Sequence, residues 1–403
     1  MNVIENFPQN YWEAGYYIVN NKKYVSKIQA VLEAQKTLAD ISWNFHKDSF
    51  DNIDWTNEPN LSLDELYRLR AQQIRDAYDY VIIMCSGGAD STNVVKSFLN
   101  NGIHVDEVIG SAPMEGLKNW NWNDKDTSAT NTISETKYAL FPLMDEIAKN
   151  YPRVKVTLND FFQELINSKT DEWLYKCPDW ITPMVPSKGD LNKFKYLKDM
   201  AEAGKRIAVV WGCDKPILRY DHEGNVYTLI TDLGVNNAVV PFDVAYPNVH
   251  RVLFYWGPEL PELLVKQSHV VARYIHKKEN RWLVEAVRKL GNTKFWIGKD
   301  PNDESIVNLK GDYQRGIVPA IYPSTWRNVF QAQKSTVGFM PPPSIWFEQL
   351  HKDTRTSQLF QSDFKLFYQG INPLYLSTHK NGFKLFSQRY KIGHYKQFLE
   401  PTL

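Results

Sequence analysis

The sequence predicts an α/β protein built on a doubly wound, mostly parallel sheet. Three observations carry this. Strand-like and helix-like segments alternate between residues 80 and 211, the pattern of right-handed βαβ crossovers. Two of the strand segments, Tyr80–Cys85 and Arg206–Trp211, are near-continuous apolar runs, as expected for strands covered on both faces. Finally, the 403 residues are 43% hydrophobic and 14% aromatic, enough to fill a core around such a sheet and too apolar for a disordered chain.

A short α+β lead-in comes first. Gly15–Val19 and Lys22–Val25 are β-prone runs separated by Asn20-Asn21, which reads as a tight hairpin. From Ser26, the apolar residues Ile28, Val31, Leu32, Ala34 and Leu38 fall at helical spacing. Ser62 to Ala77 is a second helix, with Ser62 as N-cap and Asp64 and Glu65 in its first turn. The alternating unit then runs from strand Tyr80–Cys85 to helix Asp90–Asn100, strand Val105–Gly110, helix Thr132–Asn150 and strand Arg153–Leu158. It closes with helix Leu191–Ala203, stopped by Gly204, and strand Arg206–Trp211. Past Tyr246 the pattern changes. Leu260–His276 and Arg281–Leu290 read as helices, and Pro341-Pro342-Pro343 marks a break. The expected organisation is a lead-in over 1–78, the α/β unit over 79–250, and a mainly helical C-terminal region over 251–403.

Composition excludes several classes. A net charge of +1 argues against a polyanion-coating protein. Three cysteines cannot staple a secreted scaffold. Met1–Gln9 lack the basic start and apolar run of a secretory signal. No apolar stretch approaches the ~18 residues of a membrane span. The expectation is a cytoplasmic protein with no membrane partner.

The sharpest feature is Ser86-Gly87-Gly88-Ala89-Asp90-Ser91-Thr92, set between the first buried strand and a helix. That arrangement aims backbone N–H groups and a helix N-terminus at one spot, which favours an anion. Gly87 and Gly88 permit close approach of backbone to phosphate. Ser86, Ser91 and Thr92 are expected to add hydroxyl donors, and Asp90 to hold Mg²⁺ against the phosphates. Neither a Gly-x4-Gly-Lys-Ser/Thr loop nor a Gly-x-Gly-x-x-Gly turn follows this strand.

The string resembles the PP-loop of the N-type ATP pyrophosphatases, whose domains share the adenine nucleotide alpha-hydrolase-like (HUP) fold. This group includes asparagine synthetase, NAD synthetase, GMP synthetase and several tRNA-modifying enzymes. The layout over residues 60 to 275 is most similar to the synthetase domain of asparagine synthetase, as in the related proteins of large tailed phages. A phage origin would place the protein in the host cytoplasm. The resemblance implies ATP and Mg²⁺ as ligands. It implies attack of a substrate oxygen on the α-phosphorus, release of pyrophosphate, and displacement of AMP from the adenylated intermediate by a nucleophile. The residues then expected to act on the chemistry are Asp90 and Lys215.

Two more strand ends lie beside the loop in such a sheet, where ligands bind. At the first, Ser111 and its small neighbours leave room for adenine, with Met114 as a packing face. At the second, Gly212 is followed by Asp214, a second carboxylate for Mg²⁺, and Lys215, a cation for phosphate. Weaker candidates are Tyr255, Trp256, Lys266, Gln267 and His269, where a lone helical histidine is more often structural, and a cluster of Tyr322, Ser324, Thr325, Trp326, Arg327 and Lys334.

Glutamine-dependent asparagine synthetases begin with a catalytic cysteine. Here residue 2 is Asn2, the first cysteine is Cys85, and the lead-in is too short for a glutaminase domain. The partners expected are therefore a small-molecule acceptor with a carbonyl or carboxylate, and a nitrogen donor that is ammonia, an amine or the product of another protein. Two alternatives stay open. One is a tRNA- or nucleobase-modifying member, including a thiolase, and the other an inactive nucleotide-binding protein. The tRNA reading draws on residues 331–403, with nine Lys/Arg against four acids, and on basic-aromatic runs such as Lys384-Leu385-Phe386 and Arg389-Tyr390-Lys391. The competing reading makes those aromatics core. None of Cys85, Cys177 and Cys213 is expected to be needed for chemistry.

Overall fold

The computed structural model describes residues 15–24, 30, 33–34, 36–112, 136–160, 191, 194–212, 215–230, 232, 246–292, 316–322 and 385–399. The chain opens with an antiparallel sheet of β1 (Tyr16–Val19), β2 (Lys22–Tyr24) and β3 (Ser42–Asn44), with β1 in the middle. Val19 pairs with Lys22 across the expected turn. Asn20 and Asn21 have φ of 48° and 62°, the left-handed pair that a two-residue hairpin requires and asparagine tolerates. Residues 30, 33–34 and 36–37 are helical, within the helix expected from Ser26.

Helix α1 (Leu63–Ala77) starts at a capping box. Ser62 Oγ accepts from the Glu65 N–H at 3.3 Å, and Glu65 Oε2 accepts from the Ser62 N–H at 2.8 Å, so two orphan donors are satisfied reciprocally. The α/β unit follows: β4 (Tyr80–Cys85), α2 (Ala89–Leu99), β5 (Glu107–Ala112), α3 (Phe141–Asn150), β6 (Lys155–Asp160), α4 (Lys195–Glu202) and β7 (Ile207–Trp211). An antiparallel pair, β8 (Ile217–Tyr220) and β9 (Asn225–Leu229), precedes β10 (Val249–Leu253). Then come α5 (Pro261–His276), α6 (Arg281–Asn292), a helical turn at Val318–Ile321 and β11 (Tyr390–His394).

Five strands form one all-parallel sheet in the order β10-β7-β4-β5-β6. Its side chains alternate between two cores. Val81, Ile83 and Cys85 join one cluster with Val94 and Phe98 of α2, Leu143 of α3 and Leu264 of α5. Ile82 and Met84 join the other with Leu197 and Ala201 of α4. Helices therefore cover both faces. The chain steps from β4 outward to β5 and β6, then returns to β7 on the other side of β4. The direction of winding thus reverses between β4 and β7, the place in such sheets where ligands bind at the carboxyl ends of the strands.

The structure adjusts the expected elements. The fifth parallel strand, β10, was not anticipated, and it carries the sheet across the boundary drawn at residue 250. Its sequence, Val-His-Arg-Val-Leu, breaks the apolar run by which the other strands were read. β8, β9 and β11 form a further three-stranded antiparallel sheet that was also not anticipated. β5 and β6 run two residues further than expected, ending at Ala112 and Asp160, where the ladder pairs Ser111 with Asn159. The helix expected over 132–150 is a π-helical turn at Thr136–Leu140 followed by α3, with Pro142 in its first turn. Residues 132–135 lie outside the described residues, as do 293–315 and 323–384 of the C-terminal region.

The lead-in is not packed as a separate unit. The Tyr17 hydroxyl donates to Asp232 Oδ2 at 2.9 Å, and Trp55 stacks on Tyr390 of β11 with centroids 4.4 Å apart. Those aromatic residues share a single core with β4 and α5. Among the described residues, no helix is long and apolar enough to cross a membrane.

Candidate functional site

β4 delivers the chain to Cys85, and Gly88 is the N-cap of α2. Gly87 between them has φ of +77°, and a Cβ there would stand 2.4 Å from the backbone N of Leu140. Glycine is thus demanded twice, by the left-handed backbone and by the close approach of the π turn. The rest of the loop ties itself in place. The Ser86 N–H donates to Ser91 Oγ at 3.2 Å and the Gly88 N–H to Ser86 Oγ at 3.2 Å. Ser91 Oγ donates to the Gly88 carbonyl, and Thr92 Oγ1 to the Gly87 carbonyl, each at 3.3 Å.

This corrects one expectation. Ser91 and Thr92 are buried, and their hydroxyls shape the loop instead of standing as open donors. Ser86 alone of the three is exposed. No side chain caps α2, so the N–H groups of its first turn and the positive end of the helix are directed at the loop.

Across the reversal point, Lys215 follows the end of β7. Its Nζ lies 2.6 Å from Asp90 Oδ1 and 2.7 Å from Oδ2. The Lys215 side chain is 11% exposed and that of Asp90 27%, so the pair is largely withdrawn from water and weakly screened. Gly212 permits this closeness, because a Cβ there would sit 3.0 Å from the Asp90 carbonyl carbon and oxygen. Two tyrosines complete the arrangement. The Tyr322 hydroxyl donates to Asp90 Oδ1. Tyr255, just past β10, donates its hydroxyl to the Asp90 main-chain carbonyl at 2.8 Å and accepts from Asn93 Nδ2 at 2.7 Å. Burial first, and then the neighbouring Asp90 charge, pushes the Tyr322 phenol well above its ordinary range. Burial and the neighbouring Tyr67 and Asp90 do the same for Tyr255. Both stay protonated and remain donors at any working pH.

Asp90 as a magnesium ligand does not fit this geometry. Both of its oxygens are engaged by an ammonium, and one also by a phenol. Among the described residues, no group of three His, Cys, Asp or Glu converges as a metal site. The second expected ligand, Asp214, lies outside the described residues, as do Met114, Cys177 and Cys213. Asp90 instead serves as the counter-charge that fixes Lys215.

Ser111 stands half-buried near the end of β5, on the side of β4 away from Lys215. Nearby, the π turn closes over Gly110, where a Cβ would meet Leu140 Cδ1 at 2.9 Å. His269 is structural. It is buried, with Nε2 2.9 Å from the Trp55 carbonyl and Nδ1 3.8 Å from Glu58. Lys266 pairs with Glu58 at 2.8 Å, and Gln267 donates to the Tyr67 hydroxyl at 2.9 Å, so neither reaches the loop. Trp256 is core. Ser324, Thr325, Trp326, Arg327 and Lys334 lie outside the described residues. In the described part of the tail, Tyr390 and Phe398 are buried while Lys391 and Lys396 are exposed, the pattern of core aromatics with a wet face. Sequence reasoning missed Asn93. Its position three residues after Asp90 puts the two side chains on one side of α2, but no residue pattern announces the Tyr255 partner.

No protein-family model matches this chain, and no curated protein matches it in sequence.

Proposed function

We propose that the chain is an ATP pyrophosphatase of the AMP-forming ligase type, with the PP-loop at Ser86–Asp90 and a fold of the adenine nucleotide alpha-hydrolase kind. One observation carries the reading. A left-handed glycine and an uncapped helix N-terminus meet a near-buried lysine at the point where the sheet's winding reverses. Backbone donors of Gly87 and of the first turn of α2 hold phosphate oxygens, and the dipole of α2 favours their charge. Lys215 adds a cation on the β7 side, held in place by Asp90.

In this reading ATP is a substrate and brings its magnesium with it, and no step runs through a metal held by the protein. A bond forms between the acceptor oxygen and the α-phosphorus, the α–β bridge bond breaks, and the pyrophosphate leaves with the electron pair. The chain's own groups stabilise charge growing on that leaving group, which is where fixed donors matter most. A nitrogen nucleophile then displaces AMP from a carbonyl or carboxylate acceptor.

The test is to give the pure protein ATP, magnesium, ammonium and a metabolite pool and to follow small molecules by mass spectrometry. The expected result is an acid or carbonyl compound consumed and its nitrogen derivative formed in step with AMP. A protein that leaves every acceptor and ATP unchanged would refute the ligase reading.

A further inference from the structure

We propose that Tyr322 is a positioning residue for this site, fixing the Asp90 carboxylate and through it the Lys215 ammonium that faces the phosphates. The inference rests on the nucleotide reading above and adds a requirement to it. The phosphate site is completed by a segment 232 residues further along the chain, beyond the parallel sheet.

Asp90 is held by two phenols that act on different parts of it. Tyr255 takes the main-chain carbonyl and Tyr322 the carboxylate. The two rings lie 6.0 Å apart. Tyr322 is itself clamped. Its N–H donates to the Val318 carbonyl at 3.0 Å, while the carbonyl of Ile321 accepts from the Tyr67 hydroxyl of α1 at 2.6 Å. Gln267 of α5 in turn donates to that hydroxyl. Helices α1 and α5 thus hold the backbone beside Tyr322 in place.

A carboxylate bound only by a lysine can rotate with it, because an ammonium is a point charge without directional demand. A third partner removes that freedom. Lys215 Nζ lies 5.9 Å from the centre of the Tyr322 ring, so the ring also bounds the space in which the ammonium can move. The Tyr322 hydroxyl meets the loop at the Asp90 carboxylate, so its effect on the site passes through Asp90 and Lys215.

The experiment measures binding of inorganic pyrophosphate and of adenosine to the full chain by calorimetry. It compares wild type with Tyr322→Phe, Lys215→Met and the double variant. Phenylalanine keeps the ring, so the variant should still fold, with a melting temperature lowered by no more than one lost hydrogen bond explains. Pyrophosphate affinity should fall roughly tenfold in Tyr322→Phe, as expected for a lost hydrogen bond to a charged group, with adenosine affinity unchanged. The double variant should bind pyrophosphate about as weakly as Lys215→Met alone, the non-additivity of residues acting in series. Wild-type affinity in Tyr322→Phe, or full additivity with Lys215→Met, would overturn the inference and leave the nucleotide reading standing. Failure of wild type itself to bind pyrophosphate would overturn both.

Discussion

At the amino ends of the parallel strands, acids are surrounded by donors. Glu107, fully buried at the start of β5, accepts from the hydroxyls of Tyr80 at 3.0 Å, of Tyr196 at 2.6 Å and of Thr157, with Lys155 Nζ 3.4 Å away. Asp106 accepts from the Val81 N–H at 2.7 Å and from Arg75 at 2.5 Å. At the carboxyl ends the balance is different. α2 begins on a glycine that offers no cap. The fully buried Asn93 donates to Tyr255, yet its Oδ1 has no hydrogen-bond partner. Incomplete polar groups are costly when buried. The open acceptor of Asn93 and the uncapped start of α2 thus fall together at the end where the proposed function places the nucleotide. The amino end holds the protein together, and in the proposed function the carboxyl end takes the nucleotide.

Substitutions at the two ends should therefore separate stability from turnover. The largest effect is expected from Asp90→Asn. It keeps the shape but removes the charge that holds Lys215, and turnover should fall ~10²–10³-fold, the typical cost of losing one fixed electrostatic group, while the fold survives. Steady-state rates of AMP formation beside a thermal melt check it. A variant with normal turnover would break the contrast. Ser86→Ala should be milder, because the loop's backbone donors remain.

Glu107→Ala should show the mirror image. Three hydroxyls lose their acceptor in a buried place, at a cost of about 3 kcal/mol, read as a lower urea midpoint at unchanged slope. Nucleotide affinity at temperatures where the protein is folded should match wild type. A loss of affinity without a loss of stability would mean the two ends are coupled.

How far the sequence announced this division depends on the kind of signal. β4, α1, α2 and β7 were legible because each has a complete local pattern: an apolar run, a capping box, or a glycine at a strand-to-helix turn. The carboxyl ends of β5 and β6 were read short because Ser111, Asn159 and Asp160 are polar, and hydrophobic periodicity stops there. β10 was hidden by His250 and Arg251. The β8–β9 hairpin had a signal in Asp221–Gly224 between two β-prone runs, but its partner β11 arrives from more than 160 residues away, which no local pattern encodes. For the same reason Lys215 was anticipated from its place after a strand, whereas Tyr322 had no spacing to betray its contact with Asp90.

A smaller effect tests whether completed networks elsewhere behave like the amino end. Glu58 joins the lead-in to α5 by accepting from Lys266 at 2.8 Å and from Arg273. Burial would raise its carboxyl, but hydrogen bonds and charge from Arg273 and Lys266 outweigh that and lower it from an ordinary 4.5 to about 2. A depressed carboxylate stabilises the fold above its unfolded value and loses that contribution as pH falls through its folded value. The window here is 4.5 down to about 2. Glu58→Gln should cost about 1 kcal/mol at neutral pH. Its stability gap from wild type should close as pH falls through that window. A constant gap across it would remove the charge from the explanation.

The central claim concerns which bond of ATP the carboxyl end is built to break. Wild type and Asp90→Asn are incubated with ATP labelled at the α-phosphate, magnesium and an acceptor pool, and the nucleotides are separated. The account predicts label in AMP with pyrophosphate formed in equal amount, and almost none of either from Asp90→Asn. Stoichiometric ADP and phosphate from wild type would contradict it.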